Sequence, residues 1–66
     1  MYKKDAIYHY GIKKHTYGDS YENDCWVLDS DYRPLNYIYK ASAIYMRDQL
    51  NKIHYGRAKF YVVRYD

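Results

Sequence analysis

A single cysteine constrains the fold of this chain more than any motif does. Domains of about this length, 66 residues, bury only about 60% of the surface of their unfolded chain, so they commonly need disulfides, a structural metal or oligomerisation. Cys25 cannot form a disulfide within its own chain. The sequence also lacks the paired Cys or His at short spacing that would predict a zinc site. We therefore expect residues 1–66 to form a single domain around one small core, with a homodimer as one source of added stability.

β-branched and aromatic residues dominate the first two thirds of the chain and favour strands. Turn-forming residues, among them the one proline, Pro34, interrupt these runs at two places. Gly11 falls inside the first run and indicates a bulge or a bend. These patterns predict strands over residues 6–17, 21–29 and 35–39, separated by turns over residues 18–20 and 29–34.

Apolar residues at steps of three and four predict one helix after residue 42. Ser42 suits its N-cap, and Gly56 is the expected stop at its C-terminal end. Residues 59–65 have apolar side chains on both faces of a strand, which favours a position inside the sheet. The predicted fold is α+β, a small antiparallel-dominated sheet of about four strands with one helix packed on one face, in the order β-β-β-α-β. The predicted helix face consists of Ala43, Met46, Leu50 and Ile53.

No spacing links nucleophiles, bases and orienting groups into a catalytic centre. The three histidines stand apart from one another, and the glycine-rich loops that hold phosphates are missing. Cys25 lies beside Trp26 in an apolar run, which predicts a buried and unreactive thiol. The sequence therefore predicts a binding protein without enzymatic activity, cofactor or metal.

Charge is distributed unevenly along the chain. Residues 18–32 contain five acidic residues and no Lys or Arg, while the remainder holds all eleven basic residues, within a net charge of +3. Such asymmetry can steer a charged partner, and it equally fits ordinary solubility. The twelve tyrosines either complete the core or supply a contact surface, because a tyrosine ring tolerates water on one side.

One hypothesis places a protein-binding site around the second turn. Tyrosine and arginine are common interface anchors, and a proline-stiffened turn loses little entropy on docking, although the same residues can simply cap the turn. The small size and the bias toward residues with AT-rich codons are similar to bacteriophage accessory proteins, so the expected partner is a host or defence protein that the chain inhibits. The residues assigned to this site are Asp29, Asp31, Tyr32, Arg33, Tyr37 and Tyr39.

The alternative hypothesis is a nucleic-acid-binding accessory domain. Basic side chains would contact phosphates while tyrosine rings stack on bases. The strand around Phe60 has the aromatic and basic character of RNA-binding strands but lacks their glycine pattern. The residues assigned to this site are Lys13, Lys14, Tyr17, Arg57, Lys59, Tyr61 and Arg64.

Residues 27–66 resemble the segment that precedes the catalytic motif in bacterial and phage HNH endonucleases. The resemblance rests on Val27-Leu28 followed by Asp31-Tyr32-Arg33-Pro34-Leu35, and on Gly56-Arg57-Ala58 with the ending Tyr65-Asp66. The metal-binding core and catalytic residues of that family have no counterpart in these residues. The resemblance therefore implies a derived segment that retains a binding role.

The first residues, Met1-Tyr2-Lys3-Lys4, lack the apolar run that a secretory signal or a membrane span requires. A lone thiol is typical of a reducing compartment. We therefore expect a cytoplasmic protein without a membrane partner, located in the host cytoplasm if a phage encodes it.

Overall fold

The computed structural model describes residues 8–65. Within this range the chain forms an α+β fold with one helix and a small antiparallel sheet. This class was expected from the sequence, but the sheet has three strands in place of the predicted four, and the strand order differs as well. The elements are β1 (His9–Thr16), a 3-10 helix (Tyr21–Asn23), β2 (Cys25–Trp26), α1 (Lys40–Ile53) and β3 (Ala58–Tyr65).

β1 is the central strand of the sheet, with β2 and β3 on opposite sides. β3 pairs with β1 in eight consecutive antiparallel positions, whereas β2 contributes only two pairs, at Lys13 and Lys14. β3 therefore lies at an edge of the described sheet, and the prediction that it lies inside the sheet is wrong. β3 has apolar side chains on both faces because the helix covers one face and aromatic side chains cover the other.

The core lies between α1 and one face of the sheet. Ile12 of β1 is fully buried, and Phe60 of β3 is only 3% exposed. Their side chains point to the same face because Ile12 pairs with Val62 and side chains alternate along a strand. Met46 and Leu50 of α1 pack against this pair. The alternation of β1 and β3 thus gives the sheet one face for the helix and leaves the opposite face without it.

The predicted helix face is correct at Ala43, Met46 and Leu50 and wrong at Ile53. Ala43 is fully buried, while Ile53, in the last turn, is 72% exposed. Ile53 lies at nearly the same direction around the helix as Met46, seven residues earlier, but it is the last residue of α1, where its side chain stays exposed. Within residues 8–65 no helix has the length and apolar character needed to cross a membrane.

α1 begins at Lys40, three residues before the predicted start. Its N-cap is Tyr39, whose side chain makes no capping hydrogen bond, so no capping residue marks this start in the sequence. The backbone N–H of Ser42 donates to the Tyr39 carbonyl at 3.1 Å inside the first turn. Gly56 follows the helix with a φ of 82°, a left-handed conformation that suits glycine after a helix end, as predicted.

The segment predicted as a third strand, residues 35–39, forms only an isolated bridge. Tyr37 and Tyr10 exchange two backbone hydrogen bonds of 2.8 Å, and the next two residues bend into α1. The second predicted strand is also short, because Tyr21–Asn23 form the 3-10 helix and only Cys25–Trp26 pair with β1. The same edge of β1 is thus shared by β2 and Tyr37, which leaves no room for a fourth strand there.

Two further predictions concern single residues. Cys25 is exposed, so the prediction of a buried thiol is wrong. Its strand is only two residues long, and of the two residues only Trp26, on the sheet face opposite α1, is partly buried. The first predicted strand agrees with β1 over residues 9–16, and its residues 6 and 7 lie outside the described part of the chain.

Candidate interaction surfaces

The turn between β2 and α1 carries a tightly bonded loop, residues 29–33, which we call the Tyr32 loop. One carboxylate oxygen of Asp29 accepts hydrogen bonds from the backbone N–H groups of Asp31, at 2.8 Å, and Arg33, at 3.1 Å. The Asp29 backbone also donates to the Arg33 carbonyl at 2.8 Å and accepts from the Tyr32 N–H at 3.0 Å. Aspartate commonly organises turns by bonding to backbone groups that follow it. These bonds hold the loop in one conformation.

Tyr32 stands at the tip of this loop in a strained conformation. Its φ is 63°, in the left-handed region, and it is the one residue other than glycine with a positive φ among residues 8–65. Such a conformation costs a bulky residue about 1–3 kcal/mol. The side chain is 84% exposed, so contacts with the core do not offset this cost. The loop therefore presents an exposed aromatic ring from a backbone that four hydrogen bonds hold in place.

The residues predicted for protein binding separate into two groups. Asp29, Asp31, Tyr32 and Arg33 form the Tyr32 loop and are exposed. Tyr37 is half-buried and packs against the core, and Tyr39 is 73% exposed at the N-cap of α1. The structure thus brings the loop residues together and places Tyr37 in a packing role.

The sheet face opposite α1, which we call the open face, carries the odd-numbered residues of β1 and β3. His15 lies on this face with its ring stacked on Tyr21 of the 3-10 helix, at 3.8 Å between centroids and 5° between planes. Tyr17 approaches the edge of the same imidazole, with 6.3 Å between centroids. Although α1 does not cover this face, aromatic rings therefore shield part of it from water.

A buried hydrogen-bonded cluster lies on the open face. His15 Nδ1 donates to Oδ1 of Asp24 at 2.7 Å, and the two side chains are only 6% and 5% exposed. The Tyr61 hydroxyl donates to the other oxygen, Oδ2. The bond from Tyr61, followed by that from His15, lowers the pKa of Asp24. The same carboxylate raises the pKa of Tyr61 to about 12.

The hydrogen bonds of this cluster connect three segments of the chain. Asp24 accepts from His15 of β1 and from Tyr61 of β3, so the cluster ties the segment before β2 to both long strands. Sequence reasoning missed it, although a hairpin register that pairs Lys14 with Cys25 places His15 opposite Asp24.

A second aromatic group lies further along the open face. The Trp26 ring stacks on Tyr65 at 4.8 Å between centroids, and the Lys13 ammonium lies 4.9 Å from the centroid of the Trp26 ring. Both rings lie over Gly11. Gly11 pairs with Val63 in an unbroken register, so the predicted bulge is wrong, and the glycine instead allows the rings to approach the backbone.

The residues predicted for nucleic-acid binding lie on both faces of the sheet. Lys13, Lys59 and Tyr61 share the open face, and Tyr17 lies beside them at His15. Lys14 and Arg64 occupy positions on the helix side, because they pair with Phe60 and Tyr10. Arg57 precedes β3, where its carbonyl accepts from the Tyr17 N–H at 3.1 Å. The structure thus groups four of the seven on or beside the open face.

Within residues 8–65 no group of three or more His, Cys, Asp or Glu side chains is placed to hold a metal ion. Comparison with models of known protein families, with curated proteins and with solved structures finds no match. The resemblance of residues 27–66 to a segment of HNH endonucleases therefore stays a prediction.

Proposed function

We propose that this chain is a small non-enzymatic binding protein that acts by covering a surface of a partner protein, with the Tyr32 loop as its contact point. The observation that carries the proposal is the left-handed Tyr32, whose ring is 84% exposed while Asp29 fixes the backbone around it. Strained residues concentrate at functional sites, where the surrounding structure holds them in place.

Strain at Tyr32 is significant because the domain is small. A chain of this length has a small stability margin, so a strain of about 1–3 kcal/mol is a substantial fraction of it. Asparagine or glycine would adopt the same φ at lower cost. A tyrosine at this position supports a role for the ring outside the fold, namely insertion into a pocket of a partner.

Arg33 strengthens the proposal because it places a second common anchor type beside Tyr32. A loop that is already ordered loses little conformational entropy when it docks, so more of the contact energy is retained as affinity. Small size and a tyrosine-rich composition support one type of binder in particular: a phage-encoded inhibitor of a host or defence protein, which acts by stoichiometric occlusion.

The test compares three immobilised baits in a lysate of the host: the native chain, Tyr32→Asn and Tyr55→Asn. Tyr55 is 88% exposed and lies outside the loop, so its variant is the matched control. We expect one host protein to be retained by the native chain and by Tyr55→Asn, and to be lost with Tyr32→Asn. Equal retention by all three baits would reject the Tyr32 loop as the contact point.

The open face supports a second candidate function, binding of single-stranded nucleic acid. The specific observation is that Lys13, Lys59 and Tyr61 lie on one face, with Lys13 over the Trp26 ring. Stacking platforms for single strands combine such cations and rings. Anisotropy titration with labelled single-stranded DNA, duplex DNA and RNA, at low and at physiological salt, tests it. Lys59→Gln should weaken binding and reduce its salt dependence, whereas Lys52→Gln on α1 should not.

A further inference from the structure

The outer edge of β3 is a second exposed surface, separate from the Tyr32 loop. We propose that this edge, at Val62, binds an acidic segment of a partner protein in extended conformation, as an added strand. Addition of a strand to an exposed sheet edge is a common mode of peptide recognition, with affinity from main-chain hydrogen bonds and specificity from neighbouring side chains. The inference concerns a different surface from the Tyr32 loop and does not depend on it.

The register of the sheet fixes which backbone groups point outward. The Ile12 carbonyl accepts from the Val27 N–H at 2.8 Å, so the backbone groups of Ile12 point toward β2. In an antiparallel ladder, the residue opposite such a position directs its own N–H and C=O away from the shared strand. Ile12 pairs with Val62, so the N–H and C=O of Val62 point out of the sheet.

The backbone groups of Phe60, two residues before Val62 on β3, also point outward, and they bond to the side chain of Asn51 on α1. The Phe60 N–H donates to the Asn51 side-chain oxygen at 2.8 Å, and the Asn51 amide donates to the Phe60 carbonyl at 3.2 Å. Asn51 thus gives Phe60 the donor and acceptor that a neighbouring strand would give. Asn51 makes no such bond to Val62, the next outward-pointing position, and within residues 8–65 no further strand pairs with the outer side of β3.

A groove of about 530 Å³ opens at this uncovered part of the edge. α1 forms one wall with Lys40, Ile44 and Arg47, and the strands form the other with Tyr10, Tyr61, Val62 and Arg64. Three of these seven side chains are cationic, and the Arg64 guanidinium lies over the Tyr8 ring at 4.5 Å. The Asp48 carboxylate lies 2.9 Å from the Arg47 guanidinium, and both side chains are partly exposed, so solvent screens that pair. Lys40 therefore gives the groove a positive charge that favours acidic side chains.

The edge distinguishes between two anionic classes of ligand. Val62 presents a donor and an acceptor together, and a peptide backbone supplies the complementary acceptor and donor. A phosphate backbone supplies acceptors only and would leave the Val62 carbonyl without a partner. Because an unmatched polar group in an interface weakens binding, the geometry favours an acidic peptide over a nucleic acid. Ile44 adds an apolar contact for one side chain of that peptide.

The experiment uses the full chain and a labelled synthetic peptide of alternating glutamate and threonine, with an alternating lysine and threonine peptide as the control. Affinity is measured by fluorescence anisotropy, and protection of the Val62 amide by hydrogen exchange. We expect the acidic peptide alone to bind and to slow exchange at Val62. Lys40→Glu should weaken binding about tenfold or more, while Lys52→Glu, at the other end of α1, should change it less than about twofold.

A second variant tests the backbone contact itself. Val62→Pro removes the outward N–H at an edge position, where strands tolerate proline, and should also weaken binding about tenfold. If this variant fails to fold, the two lysine variants carry the test. Val62 already protected in the free chain would overturn the proposal, since residues of this chain or of a second copy would then cover the edge. Equal binding of both peptides, or displacement of the acidic peptide by single-stranded DNA, would also overturn it.

Discussion

The ring of Tyr65 stacks on the ring of Trp26, with 4.8 Å between their centroids and 23° between their planes. The stack lies over Gly11, where a Cβ atom would approach Tyr65 Cζ to 2.7 Å and Trp26 Cζ3 to 2.8 Å. The Tyr65 hydroxyl donates to the Leu35 carbonyl at 2.8 Å, which holds the ring in place. We expect Gly11→Ala to lower the free energy of unfolding by about 1–3 kcal/mol, measured by urea denaturation.

A double-mutant cycle separates this ring contact from any backbone effect of the substitution. If the Gly11→Ala cost comes from the rings, Tyr65→Ala should absorb much of it, with a coupling energy above about 0.5 kcal/mol. Additive losses would show that the rings move aside without cost.

The core assignment leads to a second prediction. Leu50 packs against the buried cluster, while Ile53 on the same helix is 72% exposed. We expect Leu50→Ala to lower the free energy of unfolding by about 2 kcal/mol, near the low end for leucine because the side chain is only partly buried. Ile53→Ala should change it by less than about 0.5 kcal/mol. Similar losses from both variants in urea denaturation would contradict the observed helix face.

The sequence predicts those elements whose periodicity alone decides their structure. β3 alternates around Phe60 clearly enough to be found within one residue, and steps of three and four locate most of α1. The early start of α1 carries no signal, because Tyr39 caps it without a side-chain hydrogen bond. Whether residues 35–39 form a strand depends on whether another segment already occupies the edge of β1, and no local sequence pattern contains that information.

In the candidate surfaces, too, local features can be predicted from the sequence and features that depend on distant contacts cannot. The turn at residues 29–34 is predicted because aspartate and proline determine it locally. The left-handed conformation of Tyr32 is not, because tyrosine has no preference for it. The cluster of His15, Asp24 and Tyr61 includes a bond between side chains 37 residues apart in sequence, and it becomes visible only once the register between strands is known.

Strain at Tyr32 predicts a substitution that stabilises the protein. Asparagine tolerates the left-handed region, so Tyr32→Asn should raise the free energy of unfolding by about 1 kcal/mol, which corresponds to about 4–8 °C in Tm for a domain of this size. Tyr55→Asn, at another exposed position, should change Tm little. A lower Tm for Tyr32→Asn would mean that the ring stabilises the fold, and the argument for partner binding from strain would then fail.

The bond between Tyr61 and Asp24 makes stability depend on pH at both ends of the scale. The carboxylate raises the pKa of Tyr61 from 10.0 to about 12, so the folded state holds this proton more tightly than the unfolded state does. This contribution is complete below pH 10 and is lost as the pH rises toward 12. The lowered pKa of Asp24 has the opposite sign, and its contribution disappears as the pH falls below the ordinary value of 3.8.

Denaturation midpoints across the alkaline range test this assignment. Tyr61→Phe should make the decline above pH 10 shallower, because the ionising hydroxyl is gone. Part of the decline should remain, since burial also raises the pKa of Tyr65. An alkaline decline of unchanged slope in Tyr61→Phe would assign the effect to other tyrosines.

Asn51 links the stability of the fold to the accessibility of the β3 edge. Its side chain occupies both backbone groups of Phe60, and the contact is partly buried. Asn51→Ala leaves both groups without that partner, so we expect the free energy of unfolding to fall by about 1–2 kcal/mol. Asn51→Asp should cost more than Asn51→Gln, because a carboxylate can accept from the Phe60 N–H but cannot donate to its carbonyl.

Hydrogen exchange distinguishes local from global effects of these variants. In Asn51→Ala the Phe60 amide should exchange much faster. Amides that bond between β1 and β3 should exchange faster only as far as the lower global stability requires. The longer exposed edge should also increase self-association, because an uncovered strand edge is a template for pairing. Unchanged exchange at Phe60 would show that solvent already competes with Asn51 for this edge, and that the helix does not limit where an added strand can end.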